Sequence, residues 1–97
     1  MATYFILINW TDQGIKNIKE SPKRVDAAKK AVKNLGGEVN AFYMLQGSYD
    51  AVLIIEMPTD DALAKFLLTI GSLGNVRTST MRAYTETEYS KIIGGLG

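Results

Sequence analysis

The chain has 97 residues, 46% of them hydrophobic and 22% charged, and its eleven Lys and Arg stand against ten Asp and Glu for a net charge of +1. That composition belongs to one globular domain and not to a disordered segment, and the near-neutral balance singles out no charged partner. Cys and His are both absent, which excludes disulfides, thiolate or imidazole metal ligation and Cys- or His-based nucleophilic catalysis, so acid–base chemistry falls to Asp, Glu, Lys or Tyr.

Thr3–Trp10 is β-branched and aromatic without a helical period, which predicts a first strand. The chain enters this strand with no basic leader. Its longest apolar runs, YFILI and AVLII, are strand-length against the roughly 20 residues of a membrane span, so a cytosolic, non-membrane protein is the expectation. TDQG breaks the strand, and Ile15 and Ile18 mark one helical turn. Ser21 is an N-cap candidate with Pro22 at the first helical position, and Val25, Ala28, Val32 and Leu35 form one apolar stripe that stops at Gly36-Gly37.

Val39–Gln46 and Tyr49–Met57 read as strands two and three. Only Gly47-Ser48 lies between them, which predicts a tight hairpin with a type II′ turn. Pro58 ends strand three. Thr59 then caps a helix with Asp60 and Asp61 in its first turn and Leu63, Phe66, Leu67 and Ile70 on its buried side. Val76–Tyr84 is strand four. Thr85 and Glu88 form a capping box for a short last helix carrying Tyr89, Ile92 and Ile93, and the final GGLG is expected to fray.

The order βαββαβ plus a C-terminal helix is the α+β, ferredoxin-like arrangement over residues 1–97, with both main helices on one side of a four-stranded antiparallel sheet and strands one and three in its centre. A sheet with one face in water alternates apolar and polar residues. Here the alternation is missing: Phe5 and Leu7, like Tyr4, Ile6 and Ile8, are apolar, and so are Val52 and Ile54 beside Ala51, Leu53, Ile55 and Met57. A bare apolar face of that size is rare on monomers, so the expectation is a homodimer, alone or within a larger oligomer of dimers, paired sheet to sheet. The competing arrangement, a monomer whose last helix folds over the open face, has few apolar residues with which to do it.

GSYD at Gly47–Asp50, TDQGIKNIKESPKR at Thr11–Arg24 and GNVRTSTMRAY at Gly74–Tyr84 resemble the GYD-domain family across nearly the whole chain. The resemblance implies a dimeric α/β barrel of ferredoxin-like subunits paired through their sheets, and it implies no particular reaction.

The topology gathers polar groups at one end of the sheet. Tyr49 and Asp50 are expected near Asn9, Trp10 and Thr11, within reach of Arg77 and Gln46, with the segment carrying Lys16 leaving from the same end. One reading is a ligand pocket with Trp10 as an apolar wall, Tyr49 as a donor, Asp50 as a base or acceptor, and Arg77 or Lys16 holding an anionic group. The other is structural: Asp50 accepts from loop N–H groups or pairs with Arg77, fixing the hairpin. Lys16, Lys19, Lys23, Arg24, Lys29, Lys30 and Lys33 form a basic band, but interspersed acids make it a solvated helix face. Strand three lacks the stacking aromatics of an RNA-recognition motif, which argues against nucleic acid as a partner.

Two function classes follow. The first is a non-catalytic module for small-ligand binding or for assembly and regulation. The second is a cofactor-independent enzyme of the dimeric-barrel monooxygenase or isomerase type, with Asp50 handling the proton. Neither calls for a cofactor or a metal.

Overall fold

In the computed structural model, which describes residues Met1–Gly97, strand β1 (Ala2–Trp10) runs through the middle of a four-stranded antiparallel sheet. The sheet order is β2-β3-β1-β4, with β2 at Glu38–Met44, β3 at Ala51–Met57 and β4 at Val76–Ala83. Helix α1 (Asp12–Lys16) and a 3₁₀ turn (Ile18–Glu20) lead into α2 (Ser21–Asn34). Helix α3 (Asp60–Ser72) links β3 to β4, and α4 (Glu86–Gly94) follows β4. This is the expected ferredoxin-like α+β fold with β1 and β3 central. No helix is long and apolar enough to cross a membrane.

The register sorts side chains between the two sheet faces. Tyr4, Ile6 and Ile8 stand opposite Ile55, Leu53 and Ala51, and these six pack with Met57, with Val32 of α2 and with Ala62 and Phe66 of α3 into one core. Ile6, Ile55, Met57, Val32 and Phe66 have no solvent exposure. The opposite face carries Phe5 against Ile54 and Leu7 against Val52, flanked by Met81 of β4 and Tyr43 of β2. No helix of the chain shields it fully: Phe5 is 37%, Met81 49% and Tyr43 59% exposed. Helix α4 leaves Tyr89, Ile92 and Ile93 exposed as well, so it does not bury its apolar side against the open face.

Two helix starts follow the sequence closely. The Thr59 side chain accepts from the Ala62 N–H with Asp60 and Asp61 behind it, and Thr85 and Glu88 close a reciprocal capping box. Two local expectations need correction. Ser21 does not cap α2. The preceding 3₁₀ turn already has helical backbone, Ser21 itself sits at φ −55°, ψ −42°, and a cap needs an extended residue. The β2–β3 connection is also not a two-residue turn. The last paired residues are Met44 and Ala51, and the loop closes through the Leu45 N–H donating to the Asp50 carbonyl at 2.8 Å. Gly47, at φ +148°, bends this wider loop through a conformation that side chains disfavour.

Candidate functional site

The expected site lies where β1 runs into α1. Trp10 is the last residue of β1, and beyond the Ile8–Ala51 pair the ladder with β3 stops. Asp50 takes over there with both backbone and side chain. Its N–H donates to the Ile8 carbonyl at 2.8 Å, and its Oδ2 accepts from the Trp10 N–H at 2.9 Å. A carboxylate thus supplies the acceptor that a further residue of strand ladder would have supplied, and does so through a charge-assisted bond.

The remaining contacts at this end are also polar and largely to backbone. Thr11 caps α1 by accepting from the Gly14 N–H at 3.1 Å, while its own hydroxyl donates to the Gly74 carbonyl at 2.6 Å. The Thr11 N–H donates to the Asn75 carbonyl at 3.1 Å. Gln13 Nε2 donates to the Leu73 carbonyl and to Asn75 Oδ1, both at 3.0 Å. Gly14 is buried so close to the Asn75 carbonyl that a β-carbon there would collide with it. Arg24 reaches back from α2 and donates to the carbonyls of Asn17 at 2.9 Å and Gly14 at 3.2 Å. The stretches TDQG, GSYD and GN, which lie far apart in the chain, therefore converge on one seam joining β1, α1, the β2–β3 loop and the start of β4.

The five residues singled out from sequence are divided by the sheet. Trp10 continues the Tyr4, Ile6, Ile8 series and faces the helices, where it lines an apolar cavity of about 240 Å³ between the sheet, α2 and α3. Asp50 stands in the loop just before β3, half-buried, with its carboxylate turned to the Trp10 backbone. Arg77, paired with Asn9, is exposed on the open face and makes no ion pair with Asp50; the ion pairs present are Lys23–Glu20 at 3.5 Å and Arg82–Glu88 at 3.8 Å. Tyr49 is half-buried in the loop, and Lys16 is exposed at the end of α1. No group of three or more Asp, Glu, His or Cys comes together that could hold a metal ion.

The opposite end of the sheet carries the groups whose titration is displaced. The Tyr4 hydroxyl donates to Asp60 Oδ1 at 3.1 Å, and burial together with that carboxylate pushes the phenol above its ordinary range. Arg82 stacks over the Tyr84 ring at 4.2 Å and pairs with Glu88. Glu88 is held below its ordinary value by the Thr85 backbone N–H and hydroxyl, with Arg82 adding to the effect.

Of the other residues in the seam, the topology placed Thr11 here; Gln13, Gly14, Arg24 and Asn75 lie in the stretches that carry the family resemblance, but nothing in the sequence tied them to this end of the sheet. Thr11 followed three residues later by a glycine is a weak cap pattern, and the backbone carbonyls that Gln13 and Arg24 meet leave no mark in a sequence.

The GYD domain model matches residues 4–93. A protein of Thermus thermophilus named glutamine synthetase and cystathionine beta-lyase binding protein is 30% identical over 84 residues, which span 86% of this chain and 88% of that protein. Among solved structures, FFRP-DM1 superposes with a TM-score of 0.60 at 26% identity, over 87% of this chain and all of that one. A feast or famine regulatory protein from M. tuberculosis, complexed with L-methionine, gives a TM-score of 0.65 at 22% identity. That likeness covers 89% of this chain but only 54% of the M. tuberculosis chain, and it speaks for the fold alone. The expectation that nucleic acid is not a partner gains no support from these comparisons. The match from Tyr4 to Ile93, together with the Thermus relative, places the chain in the GYD domain family.

Proposed function

We propose that this protein is a non-catalytic regulatory module that works by assembly, pairing with a second copy through the open face of its sheet. The observation that carries this reading is the contiguous apolar surface formed by the exposed Phe5, Tyr43 and Met81 with the half-buried Leu7 and Ile54, which no helix of the chain shields fully. Removing such a surface from water is favourable by ~25 cal/mol per Å² before association costs are met. The name of the Thermus relative, which states that it binds two enzymes, supports a module that acts on other proteins. In this reading Asp50 has a structural part: its carboxylate already serves the Trp10 N–H, which favours a clamp over a proton-handling group.

Sedimentation equilibrium of dilute protein tests the proposal. The parent chain should sediment at twice the chain mass or a multiple of it, and Leu7→Glu, which places a charge in the centre of the open face, should sediment at the mass of one chain with its circular dichroism unchanged. A parent protein that stays monomeric would overturn the reading.

A further inference from the structure

The cavity behind Trp10 is a second feature, on the other side of the sheet from the proposed assembly face and independent of it. Twelve of its sixteen lining residues are hydrophobic, among them Trp10, Phe42, Leu53 and Ile70. The space exists because small residues occur where the walls would otherwise meet: Ala27, Ala28 and Ala31 along α2, and Ala51 on the floor. Ala27, Thr69 and Leu73 are exposed as well as lining, so the opening lies between α2 and α3. Apolar cavities of roughly 150 Å³ stay dry and accept a small aromatic molecule, and this one is larger.

One charge breaks the apolar lining. Arg24 is the only ionised residue in the wall. Its two donated hydrogen bonds go to backbone carbonyls, and no carboxylate lies within ion-pair distance of it. A half-buried cation at the edge of an apolar space favours an anion over a neutral molecule, since the low local dielectric strengthens the pairing.

We propose that this cavity binds a small monocarboxylate with an apolar body, a medium-chain fatty acid or an aromatic acid, its hydrocarbon between α2, α3 and the sheet and its carboxylate toward Arg24. Trp10 is the sole tryptophan and lines the cavity, so its fluorescence reports occupancy directly. Octanoate titrated into the full chain should shift that emission saturably, and octanol should do so about tenfold more weakly, the worth of one charge-assisted contact.

Two variants separate the parts of the proposal. Ala28→Leu fills the space and should abolish the octanoate response while the protein stays folded. Arg24→Gln should bring the affinities for octanoate and octanol together. Absence of a saturable shift with octanoate, or an undiminished one in Ala28→Leu, would overturn the cavity as the site. An octanoate preference that survives in Arg24→Gln would overturn the role of the charge.

Discussion

Where β3 runs toward α3, the layer between sheet and helices is filled: Phe66, Met57, Ile55 and Val32 are wholly shielded from solvent. At the Trp10 end the same two helices and the same sheet leave between them an open cavity of about 240 Å³. The framework is shared, so the difference lies in side-chain volume. Phenylalanine, methionine and isoleucine fill one end, and a run of alanines on α2 with Ala51 beneath them lines the other. Protein interiors are ordinarily packed to the density of organic crystals, and a domain of this size has little core to spare. The hollow end is held instead by polar bonds to backbone, from Asp50, Thr11, Gln13 and Arg24.

Adding the same volume at each end is the strongest way to break this contrast. Ala62 packs within the filled region, and Ala62→Leu should cost about 1–3 kcal/mol by overpacking. Ala28→Leu, at the hollow end, should instead stabilise by about 0.5–2 kcal/mol, as cavity-filling changes do. Chemical denaturation of both variants decides the matter, and equal losses would show that the two ends are packed alike.

A smaller effect tests whether polar bonds hold the hollow end. Asp50→Ala leaves the Trp10 N–H without its acceptor and should cost about 1 kcal/mol, the lower part of the range because the site is only half-buried. Asp50→Asn keeps an acceptor and should cost less. If the alanine variant melts with the parent, the seam draws its stability from elsewhere. Hydrogen exchange at Trp10 localises the change.

The smallest effect belongs to the filled end and to pH. The folded Glu88 carboxyl titrates below its ordinary value of 4.5. The stability it lends to α4 is therefore present above that pH and is lost as the pH falls through the lower folded value. Amide shifts of α4 should lose helical character in that acid window, ahead of the sheet. Glu88→Gln should remove the dependence.

The order of elements was legible because each boundary has a local physical cause. Pro58 ends β3, Thr59 and Thr85 cap helices with their own oxygens, and Gly36-Gly37 stops α2. Errors arose where a non-local partner outweighs the local signal. Tyr49 and Asp50 read as strand because they lead straight into AVLII, yet the Asp50 carboxylate is drawn to the Trp10 N–H of the neighbouring strand and the loop widens to let it reach. Ser21 followed by proline reads as a cap, but the 3₁₀ turn before it makes its backbone helical. At the candidate site, Trp10 and Arg77 read as neighbours at one end of the sheet, but only the pairing of β1 with β4 reveals that they stand on opposite faces. The cavity was not visible at all, since an alanine on a helical stripe reads as core until the neighbouring side chains fail to meet it.

The central place of β1 has a consequence for how the molecule comes into being. It precedes every other strand of the sheet in the chain, yet its two neighbours, Ala51–Met57 and Val76–Ala83, are the third and fourth strands and not the second. One edge of this apolar strand therefore waits for β3, and the other stays unpaired until β4 follows. Closing such long loops before any reward is gained slows folding and leaves the nascent chain open to aggregation. The core side chains come from β1, β3, α2 and α3, but the central strand gains its second partner only when β4 joins.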